Sequence, residues 1–209
     1  MINVLSIIQP LVISTIMEEF NLSRTKVVTG PQTRFSYLNA FTPKPSLSGG
    51  KPKYSVSLII PKSDTKTVNA IRNAIQAAYE EGEGKLKGNN KIVPALADIK
   101  SPLRDGDTDR AGDPAYANAY FVNCNSETQP GIVDANCNDI IDPSECYSGC
   151  YGRASINFFA YNTNGNRGIG AGLNNLQVLR QAEALGGKSR ASDDFGQFNS
   201  EDDEDGILA

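Results

Sequence analysis

Apolar and polar positions alternate with a period of two residues between Tyr151 and Tyr161. Such alternation is typical of a half-buried β-strand. One face would point into the core with Ala154, Ile156, Phe158 and Ala160. The opposite face would carry Tyr151, Arg153, Ser155, Asn157, Phe159 and Tyr161. That second face is too polar for a core and too aromatic for a plain solvated surface, unless another sheet or a loop covers it.

Five other segments have the composition of strands, with alternating or β-branched and aromatic residues. They are Arg24–Val28, Arg34–Phe41, Lys53–Ile60, Tyr116–Cys124 and Arg167–Leu173. In the second of these, the alternation predicts that Phe35 and Tyr37 share one face. The dipeptide Asn164-Gly165 predicts a hairpin turn that joins the strand ending at Tyr161 to the glycine-rich strand after it.

Two segments have helical spacing. After Pro61, apolar side chains recur at Val68, Ile71, Ile75, Ala78 and Tyr79. Ser63 is the predicted N-cap of this helix, and Gly82 ends it. A short second helix is predicted at Asn174–Glu183, with Leu176 and Leu179 facing inward. Together these elements predict a mainly β protein, a small antiparallel barrel or sandwich with inserted helices.

The two ends of the chain differ from its middle. Residues 1–16 are apolar, hold no Lys or Arg, and are too short to span a bilayer. Because Met17 follows at once, it is a second candidate for the start of the protein, and residues 1–23 are expected to be an extension. Residues 188–209 are expected to form a disordered acidic tail. One domain is therefore predicted over residues 24–187.

The formal net charge of −4 hides an asymmetry. Residues 191–209 hold seven acidic and no basic side chains, which leaves 20 basic against 17 acidic residues before them. A mildly basic body with an acidic tail is typical of a nucleic-acid-binding protein whose tail contacts partners. The chain has no histidine, which excludes Ser-His and Cys-His catalytic pairs and His-ligated metals.

Several acidic or cysteine-containing segments only partly match metal sites. The loop that begins at Asp105 has Arg110 where a calcium loop needs glycine, and the loop that begins at Asp134 has Asp139 there. Cysteines 124, 137, 146 and 150 lack the C-x2-C spacing of common zinc sites. No P-loop or dinucleotide fingerprint is present, so we predict no metal or cofactor. A divalent-metal nuclease remains an alternative, with its ligands among Asp105, Asp107, Asp109 and Asp134.

The aromatic and cationic strand face suits single-stranded nucleic acid, because bases stack on aromatic rings whatever their sequence. We predict that bases stack on Tyr37, Tyr151, Phe159 and Tyr161. We predict that phosphates are neutralised by Arg34, Lys53, Arg104 and Arg153. A structural virion protein or a protein-binding module is a further alternative, which would self-assemble without binding DNA.

The sequence also resembles the single-stranded-DNA-binding proteins of tailed phages, a group long described only as a domain of unknown function. The resemblance rests on RFSYLNAF, PKYSVSLIIPKSD, SPLRDGD, PGIVDAN, the stretch from DPSECYSGCYGR to NRGIGAGLNNLQ, and the acidic tail. It implies an OB-fold, a five-stranded antiparallel Greek-key barrel with inserted helices and loops. It also implies a non-enzymatic role in phage DNA replication or recombination.

For the tail, the resemblance implies contacts with phage or host replication proteins and competition with DNA for the basic groove. The acidic residues that would do this are Asp202, Asp203, Glu204 and Asp205. The implied location is the host cytoplasm, with no membrane partner, and a homodimer is left open.

Overall fold

The computed structural model describes residues 24–45, 50–89, 92–163 and 165–186. Its strands are β1 (Lys26–Val28), β2 (Thr33–Lys44), β3 (Lys53–Pro61), β4 (Leu103–Asp105), β5 (Ala119–Ser126), β6 (Gly131–Val133), β7 (Tyr151–Thr163) and β8 (Asn166–Arg180). Its helices are α1 (Thr65–Glu81), α2 (Glu83–Lys87) and α3 (Gly106–Asp109), with 3-10 turns at Leu96–Asp98 and Pro114–Tyr116. The predicted mainly β class is confirmed.

Five of the strands form a closed hydrogen-bonded circuit in the order β7-β2-β3-β5-β8, and β8 returns to β7. β1 lies beside β7, β4 beside β5, and β6 beside β8. The expectation of an entirely antiparallel sheet is wrong, because β8 runs parallel to β5 and to β6. A closed circuit of five strands cannot alternate direction at every pairing, because five is an odd number. At least one pairing must therefore be parallel, which the alternation within each strand does not reveal.

The β7–β8 hairpin is the longest pairing in the circuit and confirms the predicted alternation. Ala154, Ile156, Phe158 and Ala160 are buried, and the side chains between them are exposed or half-buried. The turn uses Gly165 at φ +81°, a conformation that glycine adopts without strain. No second sheet covers the outer face among the described residues.

The predicted helix at Asn174–Glu183 is wrong, because β8 continues as a strand to Arg180. Leu176 and Val178 are buried with a period of two, whereas Leu179, expected to face inward, is exposed. The reason is tertiary: Ala154 of β7 pairs with Leu176, and β6 pairs with the other edge of the same segment. Strand pairing on both edges outweighs a local spacing that fits either element.

Helix α1 packs on the circuit through Val68, Ile71 and Ile75, which belong to the main core. Its N-cap is Asp64 rather than the predicted Ser63, since the Asp64 carboxylate accepts a 3.1 Å bond from the Thr67 amide. Its C-terminus at Gly82 lies so close to Ala160 of β7 that a side chain there would overlap it. In the part of the chain that the structure describes, no helix is both long and apolar enough for a transmembrane span.

The expectation that Phe35 and Tyr37 share a face is also wrong. Phe35 is fully buried and Tyr37 is 56% exposed. The pairing of β2 with β3 shifts register between Ser36 and Asn39, and Tyr37 has φ +46°. A bulge of this kind turns the next side chain to the other face of the sheet, which here brings Tyr37 to the surface.

Candidate nucleic-acid interface

One line of cross-strand pairs runs over the outer face of the sheet and joins six strands. Tyr151 of β7 pairs with both neighbours, Arg180 of β8 and Arg34 of β2. Arg34 in turn pairs with Ile59 of β3, and the line continues through Phe121 of β5 to Arg104 of β4. We call these six residues the arginine row. Since paired strands lie about 4.8 Å apart, the row measures about 24 Å along the curved surface of the sheet.

The three arginines of the row stack on its rings. The guanidinium carbon of Arg180 lies 4.0 Å from the ring centre of Tyr151, and that of Arg34 lies 5.3 Å from the same ring. Arg104 lies 5.0 Å from the ring of Phe121. Stacking of this kind holds the cation beside an aromatic surface without neutralising its charge.

Hydrogen bonds orient two of these guanidinium groups further. Arg34 donates to the backbone oxygens of Gly149, at 3.2 Å, and Glu183, at 2.9 Å. Carbonyl groups carry no formal charge, so Arg34 keeps its net positive charge. Arg104, in contrast, donates from Nε to the Asp109 carboxylate at 2.9 Å. Arg104 is therefore partly neutralised in the free protein.

The segment from α3 to β5 folds over the middle of the row. Tyr116 is buried there against Ile59 and Phe121, with its ring edge-to-face on Phe121 at 5.1 Å between centroids. Its hydroxyl lies 3.1 Å from Oγ of Ser57, and both groups are buried. Ile59 and Phe121 are consequently covered, which leaves the arginines and Tyr151 as the accessible part of the row.

Arg110, in the same segment, lies between two tyrosines. Its guanidinium carbon is 5.3 Å from the ring centre of Tyr37 and 5.4 Å from that of Tyr116. A cavity of about 360 Å³ opens beside Tyr37, with Lys44 on its wall. Arg110 therefore contacts both Tyr37 and Tyr116, and Tyr116 packs on Phe121 of the arginine row. These contacts place the exposed Tyr37 ring next to the row.

Lys62 fixes this segment to the end of β3. Its ammonium group lies 2.8 Å from the Asp105 carboxylate and 2.7 Å from that of Asp107. The hydrogen bonds that Lys62 donates to the Asp105 and Asp107 carboxylates raise the pKa of Lys62 above its usual range, and the bond to Asp107 lowers the pKa of that carboxyl group. Asp107 also accepts a 2.7 Å bond from the Asn118 amide. Asp105 and Asp107 thus anchor a loop instead of standing free as metal ligands.

The eight predicted site residues fall into separate places. Arg34, Arg104 and Tyr151 come together in the arginine row, and Tyr37 joins it through Arg110. Lys53 lies at the far end of β3, 3.9 Å from the Glu127 carboxylate. The other three, Arg153, Phe159 and Tyr161, lie further along β7 on the outer face of the hairpin. The predicted tail residues Asp202, Asp203, Glu204 and Asp205 lie outside the described residues.

Sequence reasoning missed Arg180 and Arg110 as members of the site. Arg180 falls in the segment wrongly predicted as a helix, so its pairing with Tyr151 was hidden. Arg110 is one base in a loop, and nothing in its local sequence indicates the two rings beside it.

The metal-like motifs have structural roles among the described residues. Asp134 accepts bonds from the side-chain amide and the backbone amide of Asn138 and from the backbone amide of Asn136, and these bonds form a turn and lower the pKa of Asp134. In the described parts of the chain, no three His, Cys, Asp or Glu residues are grouped to hold a metal. The cysteines are free; Cys124, Cys146 and Cys150 are buried and Cys137 is exposed.

Comparison with known proteins places relatives of this chain among phage proteins. A family model described as "Enterobacter phage Enc34, ssDNA-binding protein" matches residues 25–207. Putative protein p50 of Acyrthosiphon pisum secondary endosymbiont phage 1 is 28% identical over 176 residues, covering 82% of this chain and 94% of that protein.

Two solved structures show a similar fold. The single-stranded DNA-binding protein from bacteriophage Enc34, in complex with ssDNA, has a TM-score of 0.62 at 23% identity, covering 78% of this chain and 90% of that one. The single-stranded DNA-binding protein gp2.5 encoded by bacteriophage T7 has a TM-score of 0.54 at 15% identity, with the same coverage.

Proposed function

Because the chain belongs to the family of the Enterobacter phage Enc34 ssDNA-binding protein, we propose that it binds single-stranded DNA without sequence preference and without catalysis. It would cover and protect single strands during phage DNA replication and recombination. The observation that carries the proposal is the arginine row, in which three guanidinium groups stack on rings and remain accessible on either side of its covered middle.

The arrangement suits the two chemical parts of a single strand. Arg34, Arg104 and Arg180 would pair with phosphates, while the half-buried Tyr151 and the exposed Tyr37 would stack on bases. Every base has an aromatic face, so stacking tolerates any sequence. Lys53, at the far end of β3, would add charge at the margin of the same face.

We propose that the five-strand circuit is an OB-fold barrel. In that fold, oligonucleotides bind the face formed by the second and third strands and the loops between strands one and two and between four and five. In chain order the second and third strands of the circuit are β3 and β5, which carry Ile59 and Phe121 of the row. The β7–β8 turn would be the loop between strands four and five.

The acidic tail is proposed to contact phage or host replication proteins and to compete with DNA for the arginine row. The support for this is charge: the tail holds seven carboxylates, and the row holds three arginines. The proposed location is the host cytoplasm, where phage DNA is copied.

The test is fluorescence anisotropy with a labelled oligo-dT and with a duplex of equal length. The double variant Arg34→Ala/Arg104→Ala is compared with Arg24→Ala/Arg72→Ala. The control pair removes the same charge from the neighbourhood of α1, where Arg24 binds Glu80 and Arg72 stacks on Tyr120.

We expect preference for the single strand, a loss of about tenfold per row arginine, and little change in the control pair. Equal losses in both double variants would contradict the site, and equal affinity for duplex would contradict the function. Time-dependent cleavage of the oligonucleotide with magnesium or manganese would favour the nuclease alternative.

A further inference from the structure

The outer face of the β7–β8 hairpin carries side chains that lie across glycines. Phe159 of β7 pairs with Gly170 of β8, Tyr161 with Gly168, and Asn157 with Gly172. Residues paired in an antiparallel ladder point to the same side of the sheet, so these three glycines are on the outer face. We call Phe159, Tyr161 and the glycines opposite them, Gly170 and Gly168, the glycine shelf; the pair Asn157 and Gly172 lies beside it and carries no ring.

The glycines leave room that the β7 side chains occupy. A Cβ atom at Gly170 would lie 2.9 Å from Cζ and 3.0 Å from Cε2 of Phe159. At Gly168 it would lie 2.7 Å from the Lys100 carbonyl oxygen and 2.9 Å from the Tyr161 hydroxyl, and at Gly172 it would lie 2.7 Å from Oδ1 of Asn157. The rings therefore lean over β8 instead of standing away from the sheet.

A ring that rests on backbone keeps its other side open. Phe159 is 44% exposed although it is a large apolar side chain, and Tyr161 is half-buried. Arg153, two residues beyond Tyr151 on the same face, is exposed and donates to the Thr29 carbonyl at 3.4 Å. The rings of Phe159 and Tyr161 pack on the backbone of β8, and Arg153 lies between them and the arginine row. Together they form a surface on which bases can stack.

We propose that the glycine shelf is a second stacking segment for the same DNA strand, used when the strand is long enough to run from the arginine row past Arg153 to Phe159. This inference rests on the proposed function. Strands too short to reach the shelf would bind through the row alone, so the protein would have two length-dependent binding modes.

The dimensions set the lengths at which the modes separate. The row measures about 24 Å along the sheet, and the eight residues of strand from Tyr151 to Phe159 add about 26 Å. Single strands occupy about 4 to 16 nucleotides per OB fold. An oligo-dT of about 4 nucleotides would therefore occupy the row alone, and one of about 16 would reach both segments.

The test compares Gly170→Ala with Gly172→Ala on both oligonucleotides. Neither glycine has a positive φ, so each change adds a methyl group without backbone strain. The first displaces the Phe159 ring, whereas the second displaces the Asn157 amide. Phe159→Ala removes the ring, and Phe159→Tyr keeps it.

For the long oligonucleotide we expect a loss of about 5- to 100-fold in Phe159→Ala and a smaller loss in Gly170→Ala. Gly172→Ala, which lies outside the glycine shelf, and Phe159→Tyr, which keeps the ring, should bind both lengths like the unaltered protein. The short oligonucleotide should bind all four variants equally.

The proposal is overturned if Phe159→Ala binds the long strand normally, or if it weakens both lengths equally while its thermal midpoint is unchanged. If the unaltered protein binds neither length, the proposed function itself fails, and this outcome is distinct from the other two.

Discussion

Asp109 holds the guanidinium of Arg104 at one end of the arginine row through the 2.9 Å bond to Nε. A phosphate that binds Arg104 has to displace this carboxylate. We therefore predict that Asp109→Asn strengthens the binding of single-stranded DNA, although it alters no residue expected to touch DNA.

The size of the gain follows from the exposure of the pair. The side chains of Arg104 and Asp109 are 45% and 34% exposed, so solvent screens their attraction. Removing the ion pair between Arg104 and Asp109 should improve the affinity for single-stranded DNA about 1.5- to 5-fold. Arg104 would then have no carboxylate paired with it and could neutralise one more phosphate. The slope of the logarithm of the DNA-binding constant against the logarithm of salt concentration should therefore steepen by up to about 0.7.

The matched control is Glu80→Gln. Glu80 pairs with Arg24 at 3.0 Å, with side chains 47% and 46% exposed, and lies in α1. Both variants raise the net charge by one, so a general electrostatic gain would appear in both. Anisotropy titrations with oligo-dT at several salt concentrations measure affinity and slope together. If Asp109→Asn binds no more tightly than Glu80→Gln, Arg104 does not contact phosphate and the row is not the interface.

Three further predictions concern the tail, the buried tyrosine and the thiols. A chain ending at Arg190 should bind oligo-dT more tightly at low salt than the full chain, and equal affinity would contradict competition by the tail. Tyr116→Phe should lower the thermal midpoint by about 2 to 10 °C in calorimetry, because the buried Ser57 hydroxyl loses its partner; an unchanged midpoint would show that the bond contributes nothing. In the native protein at pH 8, iodoacetamide should modify Cys137 first, because the other three thiols are buried and burial raises their pKa values, that of Cys146 to about 12; equal labelling of all four by mass spectrometry would contradict this.

The parts of the fold that could be predicted from the sequence are those fixed by local alternation. The inward and outward residues of β7 were predicted correctly because a single burial pattern runs through the whole strand. The turn at Gly165 was predicted because its backbone conformation favours glycine.

The wrong predictions of secondary structure and side-chain direction have a common physical cause, which is pairing between segments that are distant in sequence. The spacing of Leu176 and Leu179 fits a helix, but this segment pairs with β6 on one edge and with β7 on the other, and it is therefore a strand. Tyr37 is exposed because a bulge forms where β2 meets β3, and nothing near Tyr37 in the sequence specifies it.

The candidate site was only partly predictable for the same reason. The residue types were identified from one strand face, but the arginine row joins six strands that are far apart in sequence. Arg34 and Tyr151 are neighbours through pairing of β2 with β7, and Arg180 joins them through pairing of β7 with β8. A single sequence contains each residue but not the register that aligns them.

Photocrosslinking tests the central claim most directly, because it reports which rings touch the bases. An oligo-dT of about 8 nucleotides with 5-iodouracil in place of one thymine would be irradiated on the protein and the linked peptides identified by mass spectrometry. The account predicts crosslinks at Tyr37 and Tyr151. Crosslinks that avoid both, and fall instead on Tyr54, Tyr79 or Tyr147, would contradict it.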